Sequence, residues 1–568
     1  MHQLIHNGIL VPKYEPKGFK IKFKGKEIKL TPEQEEMALA WVKKLGTPYV
    51  EDPVFVKNFF DDFCKALGVQ GNKEDFDFSE IIKYVNEEKM AKEKMSKEEK
   101  KALAEQRKKI REQNKEKYGY AIVDGIKVEL GNYIAEPSSI FMGRGNHPLR
   151  GKWKQGPKQE DIILNLSPDA PRPEGNWKEI VWMPECMWIA KWDDKLTGKE
   201  KYVWLADTSF VKQNREKEKF DKAIELGKKY DLLMKHIKDN LTAEDMKTRK
   251  IATVCYLIDA VKMRVGDEKD KDEADTVGAT TLTTKNVKIK DNNIVVFDFL
   301  GKDSVHWHKE VELPNEVINN LKEFMANPGK KGTIFAGVRS ENVNEFLSSI
   351  VPGVTAKVFR TYHATRTIDD YLSKAKAKEE DSDEYKKYIA TLANLQAAIV
   401  CNHKRTLPKT WEKSLNKKIE SLEKLKKQKE ETKKKMEEKI KQKMESYQKR
   451  IKDVEEKLVK AKEAGKEKNI KSLEERLKKL NKQMKENKEK MEKSLKEKME
   501  KIQEKIEVMK LKIDVTKQTR DYNLNTSLKS YIDPRVFYRW FKKVDFDWKK
   551  YYSKTLQRKF SWIEEEKE

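Results

Sequence analysis

From Leu415 to Ile506 the apolar residues form two long series in which steps of three and four dominate, with turn residues between the two, a pattern that points to paired helices. The first series runs through Leu415, Ile419, Leu422, Met436, Ile440, Met444, Tyr447, Ile451, Val454 and Leu458. The second runs through Ile470, Leu473, Leu477, Leu480, Met484, Met491, Leu495, Met499, Ile502 and Ile506. The segment Ala464-Gly465-Lys466-Glu467-Lys468-Asn469 supplies turn residues at the midpoint, so the pattern predicts an antiparallel hairpin and not one rod. Each arm of about 50 residues reaches roughly 75 Å at 1.5 Å per residue. The hairpin returns the chain to where it left, so Tyr531 can rejoin a body built from residues before 411. Its Lys-rich faces read as solvated surface rather than as phosphate contacts.

Upstream of the hairpin the patterning changes twice. Residues 1 to about 100 mix short apolar segments such as Gly18 to Ile28 with helical stretches at Pro32 to Lys44 and Phe55 to Leu67, the latter rich in aromatic residues. A polar helical run from Glu87 to Lys117 connects this lobe to a strand-rich one, with strands expected at Ala121 to Val128, Glu179 to Ala190 and Tyr202 to Leu205. Residues 209 to about 405 read as mostly helical. They include a helix through Val254, Leu257, Ile258 and Val261 and a strand pair, Asn286 to Lys290 and Ile294 to Leu300, across Asp291-Asn292-Asn293.

The 568 residues carry 122 Lys and Arg against 96 Asp and Glu, a net charge of +26, which points to a polyanionic partner and above all to nucleic acid. No apolar run approaches a membrane span and the N-terminus does not resemble a signal peptide, so an intracellular, soluble protein is expected. Cys64, Cys186, Cys255 and Cys401 lie too far apart in sequence for the close pairing of zinc or redox sites. His306 and His308 alternate on an expected strand and read as side chains on one strand face rather than as metal ligands. No Gly-rich loop ending in Lys-Ser or Lys-Thr is present. Chemistry without metal, nucleotide or other cofactor is expected.

Attack on a phosphodiester adds negative charge to the non-bridging oxygens of a five-coordinate phosphorus, and fixed cations can meet that charge. Arg264 before Gly266, Arg360 in Phe359-Arg360-Thr361-Tyr362 and His403 in Cys401-Asn402-His403 are of the right chemical types. Lys302, in Gly301-Lys302-Asp303-Ser304, is a candidate acid for the departing sugar oxygen. Tyr531, in Ser530-Tyr531-Ile532-Asp533-Pro534-Arg535, is a candidate nucleophile, since a phosphotyrosine diester conserves the broken bond's energy and permits resealing. Each member by itself has an ordinary structural reading: helix cap, surface lysine or satisfied histidine.

Several blocks together resemble the eukaryotic-type type IB DNA topoisomerases: Gly143-Arg144-Gly145-Asn146-His147-Pro148, Lys262 to Gly266 with Ala274 to Gly278, Phe297 to Ser304, Thr355 to Tyr362, Cys401-Asn402-His403 and Tyr531 to Arg535. They occur in the family's order over nearly the whole chain. The resemblance implies an α+β multidomain clamp closing on duplex DNA as a monomer. Its mixed cap lobes would cover a mostly helical catalytic core of the tyrosine recombinase and type IB topoisomerase kind, with a coiled-coil linker hairpin. The implied division is 1–13 with 100–208 and 14–99 as cap parts, 209–405 as the catalytic core, 406–519 as linker and 520–568 as the C-terminal domain. It further implies Tyr531 as nucleophile in a 3′-phosphotyrosyl intermediate, Arg264, Arg360 and His403 on the scissile phosphate, and Lys302 as acid. Arg144, Asn146, His147, Asp303 and Ser530 are implied as DNA contacts, with Arg144 and Asp303 near the bases flanking the nick. The resemblance also implies relaxation of supercoils of either sign by rotation of the cut strand about the intact one. A basic channel that holds mainly phosphates predicts weak sequence preference and strong salt dependence.

Two departures stand out. Ser530 occupies the position before the nucleophile where the family usually has Asn, so an altered response to camptothecin-type poisons is expected. His363 replaces a typical Asn. The match begins almost at His6, without the long charged N-terminal tail of nuclear members, so import into a nucleus would rest on internal Lys-rich segments; a viral origin is equally compatible with the residues. A tyrosine site-specific recombinase and a non-enzymatic coiled-coil DNA scaffold are the competing readings.

Overall fold

A computed structural model of the chain describes every residue except 144, 268–276, 302–304, 409, 464–466 and 567–568. The chain forms two compact units, residues 1–362 with 552–568, and residues 363–551. Among the described residues no helix is long and apolar enough to cross a membrane.

The first unit opens with β1 (Leu4–His6), which pairs with a later hairpin. An aromatic lobe follows: β2 (Lys20–Phe23) and β3 (Lys26–Lys29), α1 (Pro32–Val42), α2 (Pro53–Leu67), β4 (Phe76–Asp77) and α3 (Ser79–Lys94), with the sheet in the order β3-β2-β4. Phe55, Phe59 and Phe63 recur every four residues and so share the buried face of α2, where Trp41 of α1 stacks on Phe59 at 4.7 Å. Thr31 and Gln34 form a capping box on α1, and the Asp52 carboxylate caps α2. The expected single polar helix from Glu87 to Lys117 is two, because α3 ends at Lys94 and α4 (Lys97–Tyr118) starts anew from Ser96, whose hydroxyl and Glu99 form a second capping box.

The strand-rich lobe holds β5 (Tyr120–Val123), β6 (Ile126–Glu129), β7 (Ser139–Ile140), β8 (Trp153–Lys154), β9 (Ile163–Asn165), β10 (Glu179–Val181), β11 (Trp188–Asp193) and β12 (Glu200–Trp204). One sheet has the order β1-β5-β6 and another β10-β9-β11-β12, with only β9 and β10 parallel. The segment 121–128, expected as one strand, is a hairpin, since Asp124 and Gly125 take positive φ of 50° and 80° and turn the chain. The segment 179–190 likewise splits: the buried Asn165 side chain accepts from Met183 N–H at 2.8 Å and donates to the Trp188 carbonyl at 3.1 Å, satisfying backbone groups that a continuous strand would have paired.

The third part of this unit contains α5 (Phe210–Lys228), α6 (Tyr230–Asp239), α7 (Met246–Val261), the meander β13 (Val287–Ile289), β14 (Ile294–Gly301) and β15 (Val305–Glu312), α8 (Asn315–Ala326) and α9 (Ser340–Ser348). Val254, Leu257, Ile258, Phe297, Phe335 and Phe359 share its core. His306 and His308 do lie on one face of β15, both bonded to the Asp298 carboxylate of β14, at 2.8 and 2.9 Å. α10 (Ala356–Lys374) begins here.

The second unit continues from α10 through α11 (Asp383–Val400), α12 (Trp411–Glu463), α13 (Glu467–Gln518), α14 (Leu524–Ser530) and α15 (Pro534–Lys543). α12 and α13, of 53 and 52 residues, are the expected hairpin and extend about 80 Å each. Tyr447, Val454 and Leu480 are buried between them, and Asn487 donates to the Tyr447 hydroxyl at 3.1 Å, a polar pair that fixes register within the apolar seam. At the base, the Tyr388 hydroxyl of α11 donates to Asp514 of α13 at 2.6 Å. The last element, α16 (Lys554–Lys559), belongs to the first unit, where Arg558 meets Glu129 at 2.6 Å and Lys559 meets Glu216 at 3.2 Å.

Candidate active site

In the first unit α7 stops at Val261, three residues before Arg264, because Lys262 adopts left-handed φ of 64° and ends the helix. The strand-like segment that follows is pinned by backbone: the Arg264 carbonyl accepts from Ala279 at 2.8 Å and the Val265 carbonyl from Thr280 at 2.7 Å. Gly266, at φ +84°, lies so close to Gly278 that a Cβ on either would come within 2.8 Å of the other's Cα. Val277 in turn donates to the Leu300 carbonyl of β14 at 2.7 Å. This lacing brings the Arg264 segment beside the end of β14, one residue before Lys302. Lys302 and Asp303 themselves, like Arg144, lie outside the described residues. Arg360 is the fifth residue of α10 and is 4% exposed, flanked by the fully buried Phe359 and Thr361.

The loop after Arg144 is ordered by its own side chains. His147 Nδ1 accepts from Leu149 N–H at 3.1 Å, its ring lies 4.9 Å from Phe141, and its carbonyl accepts from the Arg150 guanidinium at 3.0 Å. Arg150 also forms an ion pair with Asp52, whose carboxyl is held below the usual range by that hydrogen bond. His147 thus braces the loop while Asn146 is exposed.

In the second unit His403 and Tyr531 meet. Their rings are 4.9 Å apart at 45°, and they are 6% and 5% exposed. Asn402, at φ 51°, turns the chain at the end of α11, and a short backbone ladder then ties the two roots of the hairpin: Asn523 donates to the His403 carbonyl at 2.7 Å and Arg405 to the Asp521 carbonyl at 2.9 Å. The ladder places α14, which ends at Ser530, so that Tyr531 as its C-cap reaches His403. Thr365 of α10 holds the chain just after the tyrosine, accepting from Asp533 N–H at 3.1 Å and donating to the Tyr531 carbonyl at 3.4 Å. Asp533 caps α15 and takes the Arg535 guanidinium at 2.8 Å. Ser530 is half-buried beside the tyrosine.

Of the expected residues, then, His403 and Tyr531 are in contact, and the segments carrying Arg264 and preceding Lys302 are laced together. Sequence reasoning missed Thr365 and also Ser527, whose hydroxyl is 2.6 Å from His403 Nδ1. A serine four residues before the tyrosine on a helix was the available signal for a shared face. Among the described residues no three His, Cys, Asp or Glu side chains gather as metal ligands.

Comparison with known proteins finds relatives for most of the chain. Residues 1–205 match the family described as eukaryotic DNA topoisomerase I, DNA binding fragment; residues 208–436 match eukaryotic DNA topoisomerase I, catalytic core; and residues 503–568 match a C-terminal topoisomerase domain. Among curated relatives, DNA topoisomerase 1 alpha of Arabidopsis thaliana is 40% identical over 74% of this chain and 47% of its own length, and DNA topoisomerase 1 beta of the same plant is 34% identical over 98% and 58%. DNA topoisomerase 1 of Homo sapiens is 32% identical over 98% of this chain and 70% of its own. The chain thus spans about half the length of the first two. Near full-length identity at this level, with three matched regions in order, shows that the chain belongs to the eukaryotic DNA topoisomerase I family.

Proposed function

We propose that the chain relaxes supercoiled duplex DNA as a type IB topoisomerase. The Tyr531 phenolic oxygen attacks the scissile phosphorus, its proton passes to water, and the bond from phosphorus to the 5′ oxygen breaks as Lys302 delivers a proton to that oxygen. The product is a 3′-phosphotyrosyl diester and a free 5′ hydroxyl, which reverses the step after the cut strand has rotated. Arg264, Arg360 and His403 neutralise the crowded phosphate oxygens. The observation that carries this reading is the contact of His403 with Tyr531 at the root of the hairpin in a chain of this family.

The five-part division expected from the residues, a clamp acting as a monomer with Arg144, Asn146, His147 and Asp303 on the DNA, is part of the same proposal, as is action in the nucleus when the host is a eukaryotic cell. Ser530 is a shorter group than the family's usual Asn, and weaker trapping by camptothecin-type poisons follows; Ser530→Asn should increase drug-stabilised cleavage, and equal trapping would remove the idea. Plasmid relaxation without Mg²⁺ or ATP tests the activity. The unsubstituted protein should relax both positive and negative supercoils and Tyr531→Phe neither, with DNA binding retained. Relaxation by Tyr531→Phe would refute the assignment.

A further inference from the structure

We infer that Ser527 is a positioning residue that sets the tautomer of His403 and so decides which ring nitrogen offers a proton to the phosphate. The inference rests on the reading of His403 as a phosphate donor. Ser527 is fully buried in α14, four residues before Tyr531, and its Oγ lies 2.6 Å from His403 Nδ1. Among the described residues that hydroxyl has no second hydrogen-bond partner.

A serine hydroxyl carries one proton, and a buried donor left without an acceptor is costly. Among the described residues the ring nitrogen is its one acceptor, so the O–H donates to Nδ1. A neutral imidazole that accepts at Nδ1 carries its own proton on Nε2. His403 is thereby prepared to donate from Nε2 to a non-bridging oxygen without rearranging as charge develops there. Ser527 also anchors the nucleophile's backbone, its carbonyl accepting from Tyr531 N–H at 2.9 Å and from Ile532 N–H at 3.1 Å. One short helix therefore couples the proton position on the histidine to the placement of the tyrosine. Threonine would keep the hydroxyl; alanine would keep the backbone bonds and lose only the donor.

Imidazole ¹⁵N NMR on the full chain with labelled histidines, above the ordinary histidine pKa and without DNA, tests the tautomer directly; His403→Gln identifies the signal. The Nε2–H form is expected in the unsubstituted protein, with the Nδ1–H form appearing in Ser527→Ala. Single-turnover cleavage should slow by at least about tenfold in Ser527→Ala at unchanged DNA affinity, and Ser527→Thr should restore most of it. An Nδ1–H or doubly protonated ring in the unsubstituted protein overturns the inference. So does a Ser527→Ala protein that keeps the Nε2–H form or cleaves within twofold of normal. A failure of the wider reading looks different: Tyr531→Phe would still form adducts while the tautomer result stood.

Discussion

The rings of His403 and Tyr531 lie 4.9 Å apart, tilted by 45°, although 128 positions and the whole hairpin separate them in sequence. The contact is maintained from three sides: the ladder joining His403 and Arg405 to Asn523 and Asp521, the turn of α14, and the Thr365 hydroxyl. Replacing Thr365 by Val preserves shape and removes both bonds to the backbone that follows the tyrosine. Cleavage should fall by about tenfold, with stability lower by about 1 kcal/mol, each bond being worth about that or less. Rapid-quench cleavage assays and thermal melts separate the two effects; normal cleavage with a lowered melting temperature would make Thr365 merely structural.

Gly266 is constrained twice, by φ of +84° and by its approach to Gly278. Gly25 shares the left-handed φ, +80°, but has open space around its missing Cβ. Gly25→Ala should therefore cost about 1 kcal/mol or less from backbone strain, whereas Gly266→Ala should cost roughly 2 kcal/mol or more and dislodge the Arg264 segment. Chemical denaturation and cleavage of the pair check this, with cleavage lost only in Gly266→Ala.

Burial lowers the His6 pKa to about 4, against a smaller opposing hydrogen bond from its Nε2 to the Asn165 carbonyl. The folded state favours the neutral ring, so the contribution is full above the ordinary value near 6.5 and is lost as pH falls from there toward 4. The loss is on the order of 3 kcal/mol. Denaturation between pH 7 and pH 4 should show His6→Gln losing less stability than the unsubstituted chain over that window.

Lys219 gives a dependence of the same sign on the alkaline side. Burial holds its amine down to about 8, despite attraction from Glu216. The unfolded chain keeps the extra proton between pH 8 and about 10.5, so stability from this residue rises as pH rises through that range. Relative to Lys219→Met, the unsubstituted protein should gain on the order of 2 kcal/mol between pH 7 and pH 10. A constant difference across that range would show that the amine titrates normally.

The hairpin was legible because steps of three and four residues admit no other stable pairing over that length, and the aromatic face of α2 for the same reason. The errors in the connector and the strand-rich lobe have local causes already written in the chain: Ser96 with Glu99 restarts a helix that charge alone made look continuous, and Asp124-Gly125 turns where one strand was expected. The site was harder. Tyr531 and His403 were singled out through the wording of their blocks, and composition or spacing would have passed over both. Ser527 and Thr365 act through partners more than 120 positions away, so no local pattern distinguishes them from any other helical hydroxyl.

Capture of the covalent complex under denaturing conditions, followed by mapping of the modified peptide and of the DNA end it carries, tests the central claim most directly. A 3′-phosphoryl end joined to Tyr531, formed without metal or nucleotide, is the predicted result. Attachment to another residue, or through a 5′ end, would contradict it.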